Sequence, residues 1–378
     1  MTGVLITQKP PIPKLSALQI GLAGMVGLAS VAALVASVIN ASAPQGVLLF
    51  STIGILSLLR FKFTFSYWLD LALVAFGALA LLSSLGGKNI LGADFWFALI
   101  ALWILTWLFV ERLSAAISVG TARASTGVLV PVLFGAALLL IWELITRGAQ
   151  IPTILLPPPT MIWERILVSL PILWADFQQT FLKAVLAGYF LGCSAGFLVA
   201  IAIDRSPFLK RGLLPLGSFV SALPIIGIAP IMVSWFGFDW QSKAAVVAVM
   251  TFFPMLVNAV AGLNEAGQME RDLMRTYAAN YWRTLWHLRL PAAAPFIFNA
   301  LKINTTLALI GAIVAEFFGT PVVGMGFRIS TEIGRMNVDM VWAEIAVAAL
   351  AGSAFYGVAT LIERIVTFWH PSVRAGRA

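Results

Sequence analysis

The sequence predicts an all-α polytopic membrane protein with about ten transmembrane helices. Three observations carry that expectation. Only 11% of the 378 residues are charged and 60% are hydrophobic, whereas soluble domains carry about 25% charged residues. The 24 Lys and Arg and 16 Asp and Glu are unevenly spread, and no charge occurs from Leu15 to Leu59. Further charge-free runs cover Ala124–Trp142, Ala184–Ile203, Gly212–Phe238, Ala244–Asn264 and Ile345–Ile362. A membrane-crossing helix needs about 17–25 apolar residues, so each run is long enough. This pattern excludes a soluble enzyme, a disordered chain and a disulfide scaffold. Cys193 is the only cysteine, and His287 and His370 are the only histidines, so no intrachain disulfide forms and an imidazole-based metal site is not expected.

Turn signals divide the runs. The segment Ala41-Ser42-Ala43-Pro44-Gln45-Gly46 breaks the first run, giving spans near Ser16–Asn40 and Gly46–Leu59. Two more are expected near Leu69–Leu85 and Asp94–Val110, and a fifth over Gly127–Leu144. Leu155-Leu156-Pro157-Pro158-Pro159 cannot continue a helix, and a weakly amphipathic stretch, Met161–Leu173, follows. The remaining spans are placed near Lys183–Ile203, Leu214–Gly237, Ala244–Leu263, Ala294–Phe318 and Val341–Ile365. Arg112–Ser125 reads as the boundary between an N-terminal unit of four helices, residues 1–125, and a core over 126–370. Residues 371–378 form a tail.

With alternating spans and a cytoplasmic N-terminus, 16 of the 24 basic residues fall inside and 7 outside, with Lys302 inside a span. This follows the positive-inside rule and places both termini in the cytoplasm. The net charge of +8 is then an orientation signal rather than a mark of nucleic-acid binding.

Within the spans, Gly188, Gly192 and Gly196 recur every four residues, the pattern of a helix face that another helix approaches closely. Pro224 and Pro230 flank a glycine-containing stretch and are expected to interrupt one span; such breaks are tolerated where backbone packs on protein or lines a cavity, so both prolines are candidate pathway residues, with a packing kink as the competing reading. Intramembrane polar groups are few: Asn258, Asn304 and Glu316 are candidate pathway residues, together with Phe253. For Glu316, an ion pair or hydrogen bond between helices is the competing reading. The one Gly-Lys pair, at 87–88, lacks the rest of a phosphate-binding loop, so the chain is not expected to bind nucleotide or act as an enzyme.

The longest polar connection, Asn264–Leu290, carries Tyr277, Tyr281, Trp282 and Trp286 among arginines. Aromatics and Arg are enriched at protein interfaces and also at the membrane surface, so this loop is either an interfacial helix or a docking element. Here the sequence resembles permease subunits of bacterial ABC importers. Asp272-Leu273-Met274 occupies the place of that family's Glu-Ala-Ala, Ala278 that of its glycine, and Leu288, Leu290 and Pro291 its Leu-Pro end. Other stretches are similar to the nitrate/sulfonate/taurine-type subgroup of these binding-protein-dependent inner-membrane components: Leu156-Pro157-Pro158-Pro159 with Trp163, Ala229-Pro230, Trp235-Phe236-Gly237-Phe238, Ser242-Lys243, Phe252-Phe253-Pro254, Ala315-Glu316, Gly324-Met325-Gly326, Asp339 and Glu363-Arg364. The resemblance covers roughly residues 128–370.

That resemblance implies a six-helix permease core in the bacterial inner membrane, paired with a second permease subunit, homodimeric by expectation. It implies two cytoplasmic ATPase subunits that bind ATP and Mg, and an extracytoplasmic substrate-binding protein. Loop residues Asp272, Arg275, Tyr277, Ala278, Ala279, Trp282, Arg289 and Pro291 would couple to the ATPase. The solute would be small: a sulfonate, a nitrate-like anion or a small organic compound. Ala278, which lacks glycine's freedom at positive φ, predicts a helical or differently bent loop. The competing reading, an ion-gradient-driven secondary transporter, would rest on intramembrane acids such as Glu316.

Overall fold

A computed structural model describes residues 16–39, 67–85, 92–118, 127–206, 208–213, 224–319 and 322–369, with positions 53, 54, 56 and 215. The expected second span lies almost wholly outside these residues, as does the tail. Among the described residues there is no strand. Seven helices are long and apolar enough to cross a membrane, and two shorter apolar ones, Leu69–Ser84 and Ile225–Phe236, accompany them.

The chain forms two compact units, Met1–Met161 and Ile162–Ala378. The first contains α1 (Ala17–Ile39), α2 (Tyr67–Ser84), α3 (Ala93–Ser118), α4 (Leu129–Gly148) and the start of α5 (Pro159–Val168). Its core gathers Ala33, Leu81, Phe95, Leu99, Leu102 and Leu144, and a second cluster joins Val26, Leu73 and Leu105. Polar groups are buried in the same unit: Ser30, Thr106 and Asp70, the last paired with Arg112 at 2.8 Å. The structural division falls later than the expected boundary at residue 125, because Leu144, with Leu140 and Ile141, packs against Phe95 and Leu99 of α3. Glu143 explains the proline segment that follows: its carboxylate accepts from the Thr160 backbone N–H (3.0 Å) and hydroxyl (2.7 Å) and pairs with Arg147 (2.5 Å). A buried acid in an apolar helix is thereby neutralised, and the turn at Pro157–Pro159 is tied back to α4.

The second unit contains α6 (Leu170–Arg205), α7 (Ile225–Phe236), α8 (Trp240–Leu263), α9 (Gln268–Thr276), α10 (Tyr281–Glu316), α11 (Met325–Gly334) and α12 (Val338–Val366). Two corrections concern length. The span expected to begin at Lys183 begins at Leu170, and the helix expected to begin at Ala294 begins at Tyr281. Each passes through a π-helical segment, Gln178–Val185 and Leu285–Arg289. The wider turn carries polar side chains and, before Pro291, tolerates the missing N–H. Pro291 therefore sits inside a continuous helix. At 36 residues apiece, α6 and α10 are each about 54 Å long, well beyond the ~30 Å hydrocarbon core.

A third correction concerns Pro224. It is the extended N-cap of α7, with its carbonyl accepting from the Gly227 and Ile228 N–H groups, and the residues just before it lie outside the described ones. Pro230 alone lies inside α7.

The centre of this unit is the α6–α8–α10 packing. A Cβ on Gly188 would lie 2.5 Å from the Ala244 carbonyl, and one on Gly192 or Gly196 would collide with the Ala248 or Phe252 carbonyl. The three glycines thus let α8 lie against the backbone of α6. Asn304 of α10, 0% exposed, donates to the Thr251 carbonyl (2.8 Å) and to the Cys193 sulfur (3.1 Å). One side chain joins all three helices.

Candidate functional site: the anchored loop and the opposite latch

The loop after α8 is a helix–turn–helix. α9 ends in a turn where the Ala278 N–H bonds the Arg275 carbonyl (2.9 Å) and the Ala279 N–H bonds the Met274 carbonyl (3.0 Å). This is the Schellman arrangement, which places its next residue in the left-handed region. Ala278 adopts φ +51°. The expected helical or differently bent loop is therefore not formed: the turn is kept, and alanine accepts the strain a glycine would avoid. Asn280 then caps α10, its side chain accepting from the Arg283 N–H (2.9 Å).

α9 has no buried residue. Met269, Leu273 and Tyr277 recur at four-residue spacing and are 82%, 56% and 76% exposed, so they form one apolar stripe on an otherwise charged helix. Trp282 and Trp286 are also exposed. Asp272 and Arg275 face solvent and pair at 3.2 Å, a surface contact of small energetic value.

Arg289 behaves differently from the other loop residues. It is buried and holds Asp204, at the end of α6, through two bonds of 2.6 Å. Its Nε and Nη2 also donate to the Leu263 carbonyl at the end of α8 (2.9 and 2.8 Å). The Tyr281 hydroxyl donates to Asp204 (2.9 Å), and the Arg205 guanidinium lies 5.7 Å from the Tyr281 ring centre and 5.8 Å from that of Trp282. The ends of α6 and α8 and the start of α10 converge here. Spacing within the loop pointed to Arg289 but not to Asp204 or Arg205; the available signal was the Asp-Arg pair closing the charge-free run 184–203.

The other end of α10 carries a second buried network. Glu316, 2% exposed, accepts from the Thr180 hydroxyl and from the Gly326 N–H, both at 2.7 Å. Asp176 accepts from the Gly324 N–H (2.6 Å) and from Arg328 (2.8 Å). Thr180 also accepts from the Met325 N–H. The Gly324-Met325-Gly326 motif thus presents three consecutive backbone donors to α6 and Glu316. Gly324 lies at φ +145°, and a Cβ there would meet the Glu316 carboxylate at 2.7 Å. Beside it, Arg165 pairs with Asp339 at 2.6 Å. The Trp235–Lys243 motif is a tight connector: Gly237 ends α7 at φ +82°, Asp239 caps α8, and Lys243, 1% exposed, donates to the Phe238 carbonyl (2.6 Å). The Trp240 backbone N–H and then the Gln179 amide hold the Asp239 carboxyl below the usual carboxylate range.

Two of the expected pathway residues, Asn304 and Glu316, are buried in this unit. Both are enclosed between helices: both oxygens of Glu316 accept hydrogen bonds, while Asn304 is held through its NH2 group and its buried Oδ1 has no partner among the described residues. Asn258 is half-buried and bonded to the Pro254 carbonyl (2.8 Å) and to Asn299 (3.3 Å). Phe253 is half-buried against the end of α6, while Pro224 and Pro230 are exposed on α7.

A bundle of long apolar helices, close-packed on small residues and carrying one exposed amphipathic arm, defines a polytopic membrane permease. The family described as binding-protein-dependent transport system inner membrane component matches residues 188–374. The chain belongs to this family, as a permease subunit of an ABC importer of small solutes. It is 29% identical over 237 residues to a probable ABC transporter permease protein of Haemophilus influenzae, covering 62% of this chain and 96% of that relative. It is 29% identical over 247 residues to the formylaminopyrimidine transport permease protein ThiX of Halalkalibacterium halodurans (65% and 98%), and 28% identical over 237 residues to the riboflavin transport system permease protein RibX of Chloroflexus aurantiacus (62% and 88%). Each of the three alignments leaves more than a third of this chain uncovered.

Proposed function

We propose that the loop 264–290 docks onto cytoplasmic ATPase subunits, which bind ATP and Mg and drive the import of a small solute delivered by an extracytoplasmic binding protein. The observation that carries this reading is the loop's division of labour. Arg289 and Tyr281 are anchored inward, while Met269, Leu273, Tyr277, Trp282 and Trp286 are turned outward. A helix with an exposed apolar stripe on a fixed base suits a groove in a soluble partner. On this reading the loop is cytoplasmic, both termini are cytoplasmic, and the permease sits in the inner membrane as a homodimer. The N-terminal helices, residues 1–125, are an addition to the transport core.

The solute is a small organic compound. Relatives named for riboflavin and formylaminopyrimidine support this class. Lys302, the cation inside a span, is paired with Glu363 at 2.7 Å and so is not available as a fixed anion site. Ligand binding to the cognate binding protein identifies the compound.

Copurification of the permease with its ATPase tests the docking. Tyr277→Ala with Trp282→Ala is expected to weaken association by 2 kcal/mol or more, roughly 30-fold, as aromatic hot spots do. Undiminished association with wild-type coupling would sink the assignment.

A further inference from the structure

α9 touches the rest of the chain lightly. Apart from the turn that closes it, Arg271 ties it to the preceding segment by reaching back to the Asn264 carbonyl (3.0 Å) and, more weakly, to the Leu263 carbonyl (3.4 Å), and none of its residues is buried. The start of α10 is the opposite. Leu285 is 1% exposed and packs with Leu263 and Ala293, and Arg289 binds the ends of both neighbouring spans. The base leads into the membrane part of α10 through the π-helical segment Leu285–Arg289 and Pro291, where a helix bends most readily unless it is held from outside.

The charges explain why the joint has this composition. Asp204 lies in the last turn of α6, where the helix dipole disfavours a negative charge. The Leu263 carbonyl is at the end of α8, where the last four carbonyls lack helical partners. Both are electron-rich groups near the membrane boundary, and one guanidinium satisfies them together. Lysine could supply the charge but not the planar fork.

We propose that Asp204 and Arg289 form the joint that makes α6, α8 and α10 move as one body when a partner displaces α9. The inference rests on the docking role of the loop. Asp204 and Arg289 act as positioning residues: they touch neither nucleotide nor solute. Without the pair, the loop still meets the ATPase, but its displacement no longer reaches the other end of α10, about 40 Å away by the rise of the 27 residues from Leu290 to Glu316.

The test uses the full permease–ATPase complex in lipid, with a spin label on a single introduced cysteine, Gln268→Cys on α9 or Ile333→Cys on α11. The native Cys193 is buried and does not compete for the label. The readout is the change in label spectrum on adding ATP with vanadate. In the wild type both positions are expected to respond. In Asp204→Asn the response at 268 persists and that at 333 is lost. Arg289→Lys, which keeps the charge and protects against misfolding, gives the same split, and Asp204→Arg with Arg289→Asp recovers part of the 333 response. A full response at 333 in both Asp204→Asn and Arg289→Lys would overturn the joint. No response at 268 in the wild-type complex would instead overturn the docking reading beneath it.

Discussion

Ala278 is a residue where backbone physics and side-chain choice disagree. Its φ of +51° costs a non-glycine residue about 1–2 kcal/mol, and the Schellman bonds of α9 keep it there. Ala278→Gly is expected to stabilise the turn by about 0.5–1 kcal/mol, once glycine's larger unfolded-state freedom is subtracted. Hydrogen exchange of the 277–280 amides reads this as slower local opening. Glu316 is a second case. Both its oxygens accept hydrogen bonds, so Glu316→Leu leaves the buried Gly326 N–H and the Thr180 hydroxyl without their acceptor. The expected loss is about 1–3 kcal/mol, seen as a lower unfolding temperature of the purified permease in detergent. These residues were legible in the sequence as unusual, but their partners were not. Glu316 stood out as an acid in an apolar run; Thr180, 136 positions away, did not.

Helices and their contacts show a similar division. The four-residue repeat of Gly188, Gly192 and Gly196 predicts a close helix approach, and the α6–α8 contact has that geometry. Gly192→Ala places a methyl group against the Ala248 carbonyl and Thr251, both parts of an ordered helix that cannot yield locally. Overpacking of this kind costs about 1–3 kcal/mol, whereas Gly135→Ala, with open space around its Cβ position, is expected to be neutral or better. Comparing thermal unfolding of the two variants separates packing from helix propensity. Helix ends were harder to read. Hydropathy placed the start of α6 at Lys183 and that of α10 at Ala294, because polar residues and proline read as loop. The π-helical segments continue both helices through those residues, and nothing in a local window announces a change from one hydrogen-bond spacing to another.

At the scale of the whole molecule, the charge asymmetry makes a topological prediction. Sixteen basic residues on one side against seven on the other favour cytoplasmic termini. A fluorescent protein that folds only in the cytoplasm should be bright when fused at either end, and a phosphatase active only outside should be silent there. The reverse pattern would invert the assignment of the loop as well. The two compact units show the limit of such counting. Composition placed a boundary at 125, but Leu144 belongs with Phe95 and Leu99, and only packing decides which neighbours a lipid-soluble helix prefers.

By itself the sequence determined what can be written along one dimension: a membrane-embedded all-α chain, the approximate positions of its spans, the small-residue face of α6 and the polar arm at 264–290. Those properties follow from transfer free energy and helical period, which act on neighbouring residues. Only the tertiary structure decided that Arg289 faces inward to Asp204 while Tyr277 faces outward, that Asn304 and Glu316 are internal bonds, and that Gly324-Met325-Gly326 closes over α6. Each of these depends on polar groups far apart in the chain meeting where lipid offers no other partner, and that pairing is set by the packing of helices rather than by the order of residues.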